Sequence, residues 1–334
     1  MMTDELDSVF ISADMEGTSG LERLEEIFRG LPGFERFRRM MAGDVNAVVE
    51  GVIDGGVDDI LVADSHGYMK NILPEDLHPD VDMKRGMRRD LCQMKGFDPT
   101  FDAVILFGYH AKAGTEDAII SHTWIPEFHD VRVNGQSVGE SSLNAYLAGA
   151  YGVPILMVTG CDRTIEQAKN EALDENVEYA QVKKSLDYFE GDHLPLEESR
   201  ILLRETAERA VSNFDQLKPV RAETPVTIEV DIAAEPFCSP EQNSRWMNPH
   251  RDDQTLTDAE MVMEFVDDVE RSEETISFTY NNYPDAYRKL HEVLLHIYER
   301  GIETLIYDVA EPEKYERPDL DKIIGDHPVT ELEH

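Results

Sequence analysis

The stretch Ser-Val-Phe-Ile-Ser-Ala-Asp-Met-Glu-Gly (8–17) is a short apolar, β-rich run that ends on two carboxylates, Asp14 and Glu16. The same design recurs twice downstream. Residues 59–63 (Asp-Ile-Leu-Val-Ala) are followed by Asp-Ser-His, which delivers His66, and residues 103–107 (Ala-Val-Ile-Leu-Phe) by Gly-Tyr-His, which delivers His110. Between the first two runs, Phe37, Met40, Met41, Val48, Val49 and Val52 fall near helical spacing, which predicts a helix over about 34–53. Residues 140–150 read as a further helix and 153–159 as a buried strand. Strands separated by helices imply βαβ units, so the predicted fold class is α/β, a mostly parallel sheet flanked by helices.

One segment breaks the rhythm. Val-Arg-Val-Asn-Gly-Gln-Ser-Val (131–138) sets an Asn-Gly pair between alternating residues, the strongest short hairpin signal a sequence carries. After about residue 195 the character changes. Residues 196–213 suit a helix, and 225–232 alternate as a half-exposed strand should. A polar stretch follows over 235–255, then a helix near 285–299 and a strand near 304–309. The expected organisation is an α/β metal-binding domain over 1–195, a smaller α+β domain over 196–310 and a charged tail over 311–334.

Composition narrows the function. The chain has 334 residues, with 69 acidic against 31 basic ones and a formal net charge of −38. Such a chain repels phosphate backbones and anionic membrane surfaces, so nucleic acid and membrane are excluded as partners. A hydrophobic fraction of 41% still supplies a core. Lysine is scarcer than arginine, 11 against 20. An acidic surface of this kind suits a very salty cytoplasm, where charges are screened within about 3 Å at 1 M salt; an acidic protein of ordinary habitat is the alternative. Three scattered cysteines and the lack of a leader or long apolar span predict a cytoplasmic location.

The polar residues at the strand ends carry the chemistry. In open α/β sheets ligands bind outside the carboxyl ends of the strands. Three strands thus bring Asp14, Glu16, His66 and His110 to one edge, and Glu140, at the start of the next predicted helix, can join them. Imidazoles mixed with carboxylates suit zinc and its first-row neighbours, and five ligands suit two metals if Asp14 bridges them. Each residue also has a structural reading: Asp14 and Glu16 charging a helix start near Ser19, His66 in a turn, His110 at the core edge, Glu140 in a first helical turn. His122, in Ile-Ile-Ser-His-Thr-Trp, is either a proton-transfer group beside the metals or a packed core histidine. Gly-Gln-Ser-Val-Gly (135–139) matches the nucleophile-elbow pattern, which offers Ser137 to a serine hydrolase, but the strand before it is short and polar. His291 and His296, five apart on a helical stretch, are spaced poorly for a shared metal and read as structural.

Ser-Ala-Asp-Met-Glu-Gly-Thr-Ser-Gly (12–20), Ala-Asp-Ser-His (63–66), Gly-Tyr-His-Ala-Lys-Ala (108–113), Ile-Ser-His-Thr (120–123) and Val-Gly-Glu-Ser-Ser-Leu-Asn-Ala (138–145) together resemble the D-aminopeptidase DppA family, in order and separation. The resemblance is strongest over about 8–185. It implies a dinuclear zinc peptidase with two Zn2+ per subunit, Asp14 bridging, and Glu16, His66, His110 and Glu140 as further ligands. It also implies that His122 is the catalytic histidine, that the protein is a ring-like homodecamer, and that short peptides with an N-terminal D-amino acid, D-alanine especially, are its substrates. A serine hydrolase built on Ser137, or a D-peptide-binding protein without catalysis, are the alternatives.

Overall fold

Strand β1 (Ser8–Ala13) is buried along its whole length, and its alternate residues enter two different cores. Val9, Ile11 and Ala13 point to one face, Phe10 to the other. Two-sided burial of this kind marks the centre of a parallel sheet covered by layers on both faces. A computed structural model describes residues 6–31, 33–86, 91–173, 176–232, 259, 262–263 and 266–309.

After β1 come the short helix α1 (Leu24–Ile27), α2 (Phe34–Asp54), β2 (Asp59–Asp64), β3 (Asp82–Lys84) and β4 (Ala103–Tyr109). The hairpin strands β5 (Phe128–Val133) and β6 (Gln136–Ser137) precede α3 (Glu140–Ala150), β7 (Ile155–Cys161), α4 (Asp162–Glu171), β8 (Glu178–Asp187), β9 (Glu190–His193) and α5 (Leu196–Ser212). Then follow β10 (Val226–Ile232), β11 (Glu270–Ser272), β12 (Thr275–Tyr280) and α6 (Tyr283–Val309).

The first sheet runs β3-β2-β1-β4-β7-β8-β9, parallel except for the edge strand β9. Counted within that sheet, its first six strands follow the doubly wound order 3-2-1-4-5-6. Chain direction across the sheet reverses between β1 and β4, the switch point where such sheets open a crevice. One face is covered by α2 and α5, whose buried residues include Phe37, Met41, Val45, Val48 and Val52 of α2 and Leu203, Ala207 and Ala210 of α5. On the other face lie α3, α6 and an antiparallel sheet ordered β11-β12-β10-β5-β6. This second sheet draws β5 and β6 from before residue 195 and β10 to β12 from after it, while α5 packs on the first sheet.

The expected α/β class and the parallel sheet are present, as is the hairpin. Arg132 pairs with Ser137 and Val133 with Gln136 around Asn134 and Gly135, which both have positive φ, 52° and 80°. One expectation is corrected. Residues 304–309, read as a strand, belong to the last turns of α6. Leu290, Leu294, Tyr298, Ile302, Leu305 and Val309 recur at three- and four-residue steps, and no proline interrupts them, so the helix propagates past Gly301. The polar stretch 235–255 and the tail 311–334 lie outside the described residues.

Candidate metal centre

The switch point puts the loop after β1 against the loop after β4. Gly17 donates to the Gly108 carbonyl at 2.7 Å, and Asp14 N to the Phe107 carbonyl at 2.8 Å. A Cβ on Gly17 would lie 2.4 Å from Gly108 C, and Gly108 itself has φ +71°. Two glycines thus permit the close approach that sets Asp14 and Glu16 beside His110. His66 arrives from the turn after β2, which the buried Asp64 carboxylate closes by accepting from Asn71 N (2.5 Å), Ile72 N (2.8 Å) and Asn71 Nδ2 (2.8 Å). Glu140 opens α3. Glu171 braces that helix start by accepting from Gly139 N and Ser142 Oγ, both at 2.8 Å, and is paired with Lys112 at 2.9 Å.

The six residues read from the sequence as the centre, Asp14, Glu16, His66, His110, His122 and Glu140, meet here. His66 Nδ1 lies 2.9 Å from Glu16 Oε2 and 3.4 Å from Asp14 Oδ1. His110 Nε2 lies 3.5 Å from Asp14 Oδ2 and 3.2 Å from Glu140 Oε1. The two oxygens of Asp14 therefore face different histidines. His122 stacks on His110, with ring centroids 3.9 Å apart and planes within 7°, and its Nε2 is 3.7 Å from Glu16 Oε1. Two overlapping sets bring donor atoms within 4.8 Å of one another: Asp14, Glu16 and His110, and His110, His122 and Glu140.

The imidazoles show what the site is built to hold. Each one spends one ring nitrogen on a backbone carbonyl: His66 Nε2 on Ile27 O (3.2 Å), His110 Nδ1 on Ala111 O (3.0 Å) and His122 Nδ1 on Ile120 O (2.8 Å). That leaves Nδ1 of His66 and Nε2 of His110 and His122 turned toward carboxylates. Metal-binding histidines are oriented this way, with the outer N–H given to a carbonyl and the inner lone pair to the ion. His110 Nε2 is buried and has no hydrogen-bond partner, an orphaned atom that a cation satisfies.

The electrostatics agree. Three buried carboxylates lie together, so the cluster demands positive charge. Burial and the neighbouring Glu16 push Asp14 up to about 7. Burial opposes charge on Glu16 too, but the adjacent His66 outweighs it and holds that carboxyl well below its usual value. Burial would lower His66 and His110; Glu16 raises His66 well above the usual imidazole range, and Glu140 raises His110 to about 10. Protons thus occupy the positions a divalent cation would take. His122 differs. It is only partly buried and lines the adjoining cavity, and burial together with His110 lowers its pKa, which keeps it neutral. Distance alone does not set it apart from the other five, since it belongs to one of the two donor sets; its exposure to the cavity does.

Beside the cluster is a cavity of about 180 Å³. Its walls are largely apolar and include Phe28, Tyr68, Trp124 and, from α6, Leu294 and Ile297. His291, read as structural, also lines this cavity and meets Trp124 edge-on at 6.5 Å. Ser137 is elsewhere: it sits on the two-residue edge strand β6 and gives its hydroxyl to Asp130 at 2.5 Å. Sequence reasoning missed Gln93 and Lys183. Gln93 reaches Glu140, and Lys183 gives its ammonium to the carbonyls of Glu16, Thr18 and Leu21. Alternation did not mark Lys183: Ala180 and Val182 set the inward phase, and Lys183 is buried out of that phase where the β7–β8 register shifts between Gly160 and Cys161.

Known proteins match this chain. A family model described as D-aminopeptidase matches residues 8–246. The D-aminopeptidase of Bacillus subtilis (strain 168) is 35% identical over 226 residues, 67% of this chain and 81% of that protein. Among solved structures, the Zn-dependent D-aminopeptidase DppA from Bacillus subtilis, described as a self-compartmentalizing protease, superposes with a TM-score of 0.77 at 29% identity. The match covers 87% of this chain and 98% of that one.

Proposed function

Because the chain belongs to the D-aminopeptidase family and is a metallo-aminopeptidase, we propose that it removes N-terminal D-amino acids from short peptides with two zinc ions. In this reading Asp14, Glu16, His66, His110 and Glu140 would hold the ions, with Asp14 serving both, and His122 moves the proton. The observation that carries it is the set of imidazoles that each give one N–H to a backbone carbonyl and turn the other nitrogen to buried carboxylates. A protein built only to bind peptides has no need of that arrangement.

Zinc, when bound, supplies Lewis acidity toward the scissile carbonyl and makes water acidic near neutral pH. The chain does the rest. Ile120 O fixes the proton of His122 on Nδ1, so Nε2 is the free base facing the cavity. That nitrogen accepts a proton during attack and returns it to the leaving amine. The apolar walls exclude water and hold the side chains of the peptide. Ser137 is bound to Asp130 rather than to an imidazole, which disfavours the serine-hydrolase reading. By likeness to the self-compartmentalizing relative, we extend to this chain a ring-like homodecamer enclosing its sites.

Metal analysis followed by an assay of D-Ala-D-Ala against L-Ala-L-Ala, with and without chelator, tests the proposal. Hydrolysis of the D-dipeptide that chelator abolishes and zinc restores is expected. Chelator-resistant hydrolysis, or binding without turnover, refutes it. His122→Ala should keep zinc near the wild-type content while turnover falls by about 10²–10⁴-fold; unchanged turnover removes His122 from its role.

A further inference from the structure

Gln93 lies on a short 3₁₀ turn (Cys92–Met94), is buried, and belongs to no motif that the sequence offers. Its side-chain nitrogen Nε2 donates to Glu140 Oε2. Its Oε1 accepts from Trp124 Nε1 at 3.0 Å and from Asn144 Nδ2 at 2.8 Å. Two donors on Oε1 fix which way round the amide sits, and leave Nε2 no choice but the carboxylate. The backbone N–H of Trp124 reaches the other oxygen, Glu140 Oε1, at 2.5 Å. Each Glu140 oxygen thus accepts one N–H and keeps a lone pair for the metal side.

The network around Gln93 closes on itself. Tyr287 OH on α6 donates to Asn144 Oδ1 at 2.6 Å. The other end of Asn144, Nδ2, also donates to Tyr109 OH at 2.7 Å. Tyr109 OH and Ser12 Oγ are 2.8 Å apart, and Ser12 Oγ donates to the Gln93 carbonyl at 2.9 Å. One assignment of hydrogens satisfies every member: Tyr109 gives its proton to Ser12, which gives its own to Gln93 O. A buried network with no member left over holds its groups in one arrangement. The chain accepts backbone strain to build it. Leu91, Cys92 and Trp124, none of them glycine, have φ of 67°, 46° and 58°.

The geometry points to Gln93 as the positioning residue for Glu140, through which Trp124 in the cavity wall and Tyr287 on α6 are tied to the metal centre. This inference rests on the reading of Glu140 as a zinc ligand. Outer-shell partners of ligands are worth about 10–100-fold in metal affinity or activity, and Gln93 is expected to act within that range. Gln93→Leu removes the donor to Glu140 and the acceptor for Trp124, whereas Gln93→His restores a ring N–H of similar reach.

Zinc affinity is measured by competition with a chromogenic chelator, on variants whose metal-free circular dichroism matches wild type. Trp124 is followed by the indole N–H hydrogen-bond marker in its Raman spectrum, in a Trp246→Phe background. Gln93→Leu should weaken zinc about 10–100-fold and shift the indole marker to its unbonded position. Gln93→His should recover most of the affinity. Zinc binding within twofold of wild type in Gln93→Leu, or an unmoved indole marker, overturns the inference. If that variant does not fold, Tyr287→Phe decides: it frees one end of Asn144, and an unchanged zinc affinity there overturns the inference equally. A wild-type protein that binds no zinc at all refutes the proposed function instead.

Discussion

Replacing Lys183 with methionine sets two opposed effects against each other. Lys183 projects from β8 into a buried site, where its ammonium donates to Glu16 O (2.5 Å), Thr18 O (3.0 Å) and Leu21 O (2.6 Å). Those three carbonyls belong to the loop that carries Glu16. Hydrogen bonds to a charged donor contribute about 1.5–3 kcal/mol each, so three are worth roughly 4.5–9 kcal/mol. Against them, burial pulls the Lys183 pKa from 10.5 down to about 8. At about 1.36 kcal/mol per unit, that shift disfavours the charged form by about 3 kcal/mol. The carbonyl bonds win. Lys183→Met should therefore lower stability at pH 7 by about 1–6 kcal/mol, read from urea unfolding of the metal-free protein at fixed protomer concentration. It should also loosen the Glu16 loop and weaken zinc. The pH dependence has a definite sign. Between pH 8 and 10.5 the unfolded chain holds the lysine proton more tightly than the folded one, so this group adds stability as pH rises through that window. The gap between wild type and variant should widen there by up to about 3 kcal/mol. A gap below about 0.5 kcal/mol at pH 7, the size of an ordinary surface change, or one that narrows above pH 8, would refute the reasoning.

Two further outcomes are expected. His110 is raised to about 10 and Asp14 to about 7, so the metal-free fold binds more protons than the unfolded chain from about pH 4 to 10. Stability of the metal-free protein should fall from about pH 4 to 8 through these two groups, above which Lys183 acts in the opposite direction. Zinc takes the place of those protons, so the loaded protein should lack the decline and zinc affinity should rise with pH; parallel stability curves for the two forms would contradict the site. With a net charge of −38 on each chain, dilution into low salt should dissociate and inactivate the oligomer, read by light scattering alongside activity. An assembly that stays intact and active at low ionic strength would remove the saline reading.

Much of the centre could be read from local pattern because each of its proposed ligands sits at a strand or helix end. Asp14, Glu16, His66 and His110 directly follow β1, β2 and β4, and Glu140 starts α3 just beyond an Asn-Gly turn. A buried strand announces itself by its apolar run, so the polar residue that ends it stands out. The elements missed lacked that signal or were judged in isolation. β8 mixes lysines with its apolar positions, β3 has only three residues, and the six-residue run at 304–309 looks β-like until it is joined to the helix before it.

By itself the sequence determined the alternation of strand and helix, the hairpin, the acidic charge and the residue types that meet at the strand ends. Those follow from backbone preference, hydrophobic period and charge, all of which act within a few residues. Only the tertiary structure decided which of the bland-looking residues serve the site. Gln93 reaches Glu140 across 47 residues, Lys183 reaches Glu16 across 167, and His291 joins Trp124 in the wall of the cavity from a helix near the far end of the chain. Such pairings come from sheet order: the switch between β1 and β4 and the return of α6 over α3 bring them together. No local period encodes a contact that exists only once the sheet has closed.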